Sequence, residues 1–252
     1  MATVDVPGPF KVLSRPLTIR PKNVPPPAPG SPAHGPVAWW PLDETGGAEA
    51  ADASGNGHLA RVQGTARWLP GQGQTGGALE LNGAVSHLDC RDAPEFDFRD
   101  ALTVSLWIRP RDWTKGSQTL IAKGNNTWRL HSEGKTGQLV FALDGPQTTG
   151  KDRNKAPRAV SKTTLDGARW HHVVGVYDGQ RIALYLDGEL QESVTATGPV
   201  ALNTEPLWLG NNSAARGQAY AGGLDDVRLY ARGLREVEIK ALYRDATTAP
   251  AL

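Results

Sequence analysis

Six consecutive residues, Asp52-Ala53-Ser54-Gly55-Asn56-Gly57, carry the donor chemistry of a hard-cation site. Calcium takes several oxygens from carboxylates, amide side chains and backbone carbonyls. Glycines let a loop fold back so that carbonyls converge. One carboxylate is too few for tight binding, however, and the same string reads equally as an ordinary turn in which Asp and Asn accept local amides. A second acidic feature is the pair Asp225-Asp226 in the run Leu224 to Tyr230. Strand alternation puts Asp225 on the face of Val227 and Leu229, so its carboxylate is expected to point inward, where an acid needs a cation or several donors. Asp226 falls on the opposite face beside Arg228, which offers it an ion pair.

Catalytic chemistry is poorly supplied. Glycoside hydrolysis generally needs two carboxylates facing each other across the substrate. Asp225 and Asp226 are neighbours on one strand and point apart. Glu236-Val237-Glu238 lies in the terminal helical stretch. His171-His172 has no Glu or third His close in sequence, and adjacent strand residues do not easily share one ion. Cys90 has no motif around it and reads as a buried thiol. The chain is therefore expected not to be an enzyme.

For ligand contact the candidates are aromatic rings in loop-like stretches, Trp113, Trp128 and Tyr220, with Trp107 on the polar side of its strand. Rings of this kind fill a core or stack on a ligand. Residues 144–161 form a basic connection with Lys151, Arg153, Lys155 and Arg158. It reads as a solvated loop or as a contact for an acidic glycan or protein surface. It has no interleaved aromatics, and with 27 Lys+Arg against 26 Asp+Glu the net charge is only +1, so nucleic acid is not an expected partner.

The elements that must position these groups are short. The 252 residues include 29 Gly and 19 Pro, which favours many turns. Leu102, Val104, Leu106 and Ile108 alternate with Thr103, Ser105, Trp107 and Arg109, and Pro110 ends the run. Residues 170–177 and 181–186 are strands closed by Asp178-Gly179 and Asp187-Gly188, a β-meander signal. Residues 78–81 and 85–90 flank an Asn82-Gly83 turn. Further strands are expected over 120–123, 127–131, 138–143, 207–210 and 224–230. Trp39, Trp40, Trp170 and Trp208 fall in strand-like runs and are assigned to the core or a sheet surface. Residues 234–243 form the one helix, with Leu234, Val237 and Ala241 as its apolar stripe. This pattern is all-β, an antiparallel β-sandwich (jelly roll) with one short C-terminal helix.

Residues 24–36 (VPPPAPGSPAHGP) read as an extended linker. That divides the chain into an N-terminal arm and linker, 1–36, and a sandwich domain, 37–252. The start lacks the basic and apolar regions of a signal peptide, no run is long and apolar enough to span a membrane, and a single cysteine allows no internal disulfide. With its arm and proline linker the chain is expected to be a piece of a longer one.

Three stretches in order, VAWWPLDE with DASGNG, WHHV with LYLDG, and GLDDVRLYAR with Leu234 and Glu238-Ile239, resemble the laminin G-like family of the concanavalin A-like superfamily. The resemblance covers about Val37 to Arg244. It implies a non-catalytic, lectin-like or adhesive module that binds a glycan or an extracellular protein through a rim or a concave face. It also implies a parent protein that is extracellular, periplasmic or on the cell surface. By the same resemblance the Asp52/Asn56 loop is paired with Asp225 and Asp226 around a structural calcium, with Asp43 as a further ligand or a brace. The runners-up are a polysaccharide-active enzyme of the same superfamily and a structural spacer. The chain departs from the pattern at Arg235, where a capping Ser or Thr is usual, and in its long basic connection.

Overall fold

A computed structural model describes residues 35–113, 115–148, 156–215 and 217–248. The arm and nearly all of the linker, and Lys151 and Arg153, lie outside the described residues. In chain order the strands are β1 (Ala38–Trp40), β2 (Glu49–Ala50), β3 (Ala60–Gln63), β4 (Ala66–Trp68), β5 (Leu79–Asn82), β6 (His87–Asp89), β7 (Leu102–Pro110) and β8 (Thr119–Ala122). There follow β9 (Trp128–Ser132), β10 (Leu139–Leu143), β11 (Gln147–Thr148), β12 (Arg158–Val160), β13 (His171–Tyr177), β14 (Arg181–Leu186), β15 (Glu189–Thr197), β16 (Trp208–Leu209) and β17 (Ala221–Tyr230). Helix α1 spans Glu236–Thr248.

The strands make two antiparallel sheets. One runs β11-β15-β14-β13-β7-β17-β5-β4, with β1 joined to β17; the other runs β12-β10-β9-β8-β16-β6-β3-β2. Inward side chains of both fill one core. Leu102, Val104, Leu106 and Ile108 of β7 meet Leu130 of β9 and Leu139, Phe141 and Leu143 of β10 there. The sheets approach closely where Gly175 faces Phe141: a Cβ on Gly175 would lie 2.6 Å from that ring. The expected jelly-roll sandwich is the observed fold.

The outer face of the nine-stranded sheet is covered as well. Helix α1 lays Ile239 over a cluster with Val174, Val176, Ala183, Tyr185 and Tyr230. This is why β13 is buried on both sides. The helix begins two residues later than expected, and its phase differs. Ile239 and Ala246 face the sheet, whereas Val237 is 60% exposed. The missing hydroxyl cap is replaced by Glu238, whose carboxylate accepts the Arg235 amide at 2.9 Å and pairs with Arg232 at 2.8 Å.

Candidate functional site

The acidic pair sits on a β-bulge. The β17–β7 register shifts between Asp225 and Arg228, and Asp226 has φ 46°. One extra residue reverses the alternation. Asp225 therefore pairs with Trp107 on the outer face beneath α1, whereas Val227 pairs with Trp40 of the core. The inward direction expected for Asp225 is thus corrected, but its burial is complete at 0% exposure. Its Oδ2 accepts the amides of Gln74 at 2.7 Å and Thr75 at 3.0 Å. Its Oδ1 has no partner among the described residues. Burial first, then the charges of Asp226 and Asp43, push its pKa up to about 8 against the pull of the two amides.

Asp43 accepts the Gly77 amide at 2.6 Å, so the loop 73–77 is clasped by two carboxylates. Its glycines are required. A Cβ on Gly73 would lie 2.7 Å from Asp225 Oδ2, and one on Gly76, at φ +63°, would collide with Asp43 Oδ1. Asp226 accepts the Trp39 indole N–H at 2.6 Å and pairs with Arg228 at 3.0 Å, and that guanidinium lies over the Trp39 ring at 4.5 Å. This is the ion pair expected for Asp226. Thr75, Asp43, Asp226 and the α1 residues Leu242 and Asp245 line a cavity of about 310 Å³ above these groups.

Asp52 and Asn56 do not join this cluster. Asp52 Oδ1 accepts the amides of Trp39 and Ser54, and Oδ2 accepts the Ser54 hydroxyl and the His58 amide. Burial raises the Asp52 pKa, but these hydrogen bonds, that of Ser54 first, outweigh it and hold the pKa below the usual range. Asn56 donates to the Val37 carbonyl at 2.8 Å. Trp39 stands between the two acidic regions, its backbone amide on Asp52 and its indole on Asp226. The five-residue set of Asp52, Asn56, Asp225, Asp226 and Asp43 is therefore not gathered about one point, because local amides consume the oxygens of the loop. Among the described residues no group of three or more His, Cys, Asp or Glu side chains could hold a metal ion.

The candidate ligand aromatics are placed inside. Trp128 is 1% and Tyr220 0% exposed, both in the core. Trp113 is half-buried against that core and donates its indole N–H to Leu165 O at 2.8 Å. Trp107 lies under α1 in a cluster with His172 and Tyr243, its ring centroid 5.0 and 5.6 Å from theirs. Trp128, Tyr220 and Trp107 are fully covered and offer no free face, whereas Trp113 is half-buried. The histidines are structural. His171 pairs with Asp187 at 3.0 Å, and His172 meets Ser105 Oγ at 2.9 Å with burial lowering its pKa to about 3. The Cys90 thiol is buried, and its pKa is raised by that burial.

Trp208, assigned from the sequence to the core or a sheet surface, takes the second of these places. Leu207 and Leu209 enter the core, so Trp208 between them lies on the outer face of the eight-stranded sheet. That alternation was legible in the Leu-Trp-Leu string.

A family model described as concanavalin A-like lectin/glucanases superfamily matches residues 82–240. Sequence comparison with curated proteins gives no match. Among solved structures, the chain is similar to the binding domain of Paraclostridial Mosquitocidal Protein 1, with TM-score 0.67 and 19% identity over 84% of this chain and 52% of that one. It is similar to domain 4 of AbnA, an extracellular GH43 arabinanase from Geobacillus stearothermophilus solved with arabinotriose, with TM-score 0.61 and 18% identity over 83% and 98%. The receptor binding domain of botulinum neurotoxin mosaic serotype C/D gives TM-score 0.64 and 16% identity over 84% and 51%. The chain thus spans about half the length of the two toxin domains, and at these identities the likeness is one of fold. With a family match over more than half of its length, the chain belongs to the concanavalin A-like lectin/glucanases superfamily, in its laminin G branch.

Proposed function

We propose that this chain is a non-catalytic recognition module of an exported protein, binding a carbohydrate or a protein receptor. The observation that carries this reading is the shared sandwich. The similar solved domains include the binding domain of a mosquitocidal protein, a receptor binding domain of a botulinum neurotoxin, a botulinum neurotoxin binding domain in complex with rat synaptotagmin II, and a domain in complex with arabinotriose. The superfamily name also covers glucanases, which keeps an enzyme as the alternative. The acids support binding over catalysis. Asp225 is sealed under α1, and Asp226 is held by Trp39 and Arg228, so the pair does not flank a substrate groove. No helix among the described residues is long and apolar enough to cross a membrane.

A structural calcium is part of the proposal, placed at Asp225 and Asp43 rather than at Asp52. A buried carboxylate oxygen without a donor fits a cation, whereas the four donors on Asp52 leave it no role as a ligand. When bound, the ion supplies positive charge that keeps Asp225 ionised, and the loop 73–77 stays clasped to β17. The test is a melting curve in EDTA and in calcium, beside a binding screen against glycans and receptor ectodomains. A rise in Tm with calcium that EDTA reverses supports the cation. No shift in metal-free protein removes it. Turnover of a polysaccharide in the same screen would replace the module reading with the enzyme.

A further inference from the structure

We infer that the cavity between Trp39 and the end of α1 receives a lysine or arginine side chain from a protein partner. The inference rests on the recognition-module reading and gives it a place and a ligand class. At about 310 Å³ the cavity is at the small end of ligand pockets, which run from about 300 to 1,000 Å³. Trp39, Pro41, Leu242 and Ala246 supply apolar wall, and Asp43, Asp226 and Asp245 supply carboxylates. A basic side chain fits this combination, because its methylene stem packs on apolar surface while its charged head keeps polar company.

The wall is more negative than the fold requires. Among the described residues Arg228 is the one cation lining the cavity, and it is already paired with Asp226 at 3.0 Å. Asp43 accepts the Gly77 amide, which neutralises no charge. Asp245 is exposed and has no hydrogen bond or ion pair among the described residues. It stands in the last turn of α1, which carries no basic residue. The negative end of the helix dipole lies there and favours a cation, so this carboxylate is held against the local field. A group that opposes its own helix without a compensating contact is where function is expected. A cation from outside would meet Asp43, Asp245 and the helix end together.

The ligand class follows from spacing. Asp43, Asp226 and Asp245 surround the cavity without converging on one metal ion. An ammonium or guanidinium, with several N–H donors on one head, can serve acceptors set apart in this way. The walls are also fixed beforehand. Trp39 is held by its indole N–H on Asp226 at 2.6 Å. Gln74 donates its side-chain amide to Ala246 O at 3.1 Å and its backbone amide to Asp225 at 2.7 Å, which ties the end of α1 to the loop 73–77. Thr75 of that loop lines the cavity, and its amide rests on Asp225, whose buried Oδ1 has no partner among the described residues. A site held in shape before its ligand arrives loses less freedom on binding.

The test is an NMR titration of the isotope-labelled full chain, in EDTA so that the calcium proposal is tested apart. The probes are the peptides Gly-Arg-Gly, Gly-Lys-Gly and Gly-Glu-Gly, blocked at both ends, and spermidine. The proteins are wild type, Asp245→Asn and Asp245→Lys. Asp245 is exposed and without a polar partner, so Asp245→Asn should melt no lower than wild type. The arginine and lysine peptides should shift the Trp39 indole N–H and the Thr75 and Ala246 amides saturably, with Kd about 1 mM. Asp245→Asn should weaken this by about threefold to fivefold, Asp245→Lys should abolish it, and added salt should weaken it too. Equal shifts with the glutamate peptide, or shifts that Asp245→Lys retains, overturn the site. Saturation by spermidine without a response to either basic peptide overturns the protein side chain as its ligand. No response to any of these cations overturns the inference, and a glycan or receptor ectodomain bound by the same preparation would then leave the module reading standing.

Discussion

Replacing Asp225 with Asn, in EDTA, should flatten the dependence of stability on pH and make the variant the more stable protein at pH 8. The acid is fully buried, and its pKa rises from 3.8 to about 8. The folded chain therefore holds a proton that the unfolded chain releases between those values. Its stability contribution is whole below pH 3.8, falls as pH rises through the window, and levels off above about 8. At about 1.4 kcal/mol per pH unit the span sets an upper bound of about 6 kcal/mol, and relaxation around the site brings the expected loss to about 2–4 kcal/mol. Asn keeps an oxygen for the Gln74 and Thr75 amides and puts an uncharged N–H₂ where the proton sat. Urea unfolding at half-unit steps from pH 4.5 to 8.5 reads this as a difference between wild type and variant. The difference cancels groups that titrate in both proteins. With calcium the wild type should regain stability, more so at higher pH because the ion displaces the proton, and the variant should not. Parallel curves for the two proteins in EDTA would refute the assignment of a protonated, buried Asp225.

His172 should act in the opposite sense: lowered to about 3 by burial, it favours folding above pH 6.5 and loses that contribution as pH falls toward 3, so His172→Gln should show a shallower acid limb in thermal melts. Lys123→Met should cost about 3–5 kcal/mol in urea unfolding, because it strands Asp92 and two carbonyls around a vacated buried charge. Gly175→Val drives a side chain into Phe141 and should destabilise by about 3 kcal/mol or more, read as a lower urea midpoint with an unchanged slope.

Most of the architecture lay in local patterns. The alternation through Leu102–Ile108 and the two Asp-Gly turns around 181–186 are short-range signals, and they became β7 and the β13–β14–β15 meander. The helix was legible in place but not in phase, since its stripe is chosen by the sheet beneath it and not by periodicity alone. Asp225 was misdirected for a related reason. A bulge of one residue at Asp226 changes which face every earlier residue of β17 meets, and nothing in Leu-Asp-Asp-Val announces it. The Asp52 loop shows a different limit. Its composition suits both a cation and its own amides, and only the positions of Trp39, Ser54 and His58 decide between them. Trp208 was within reach, because Leu207 and Leu209 define the opposite face. Its partners were not, because Asp89, Ala122 and Arg129 come from distant strands.

The central claim is that this sandwich recognises a ligand without transforming it. The direct measurement is a glycan array probed with the full chain, followed by mass spectrometry of the retained sugars after prolonged incubation. At least one glycan should be held and recovered at its original mass. Shortened or unsaturated products would contradict it.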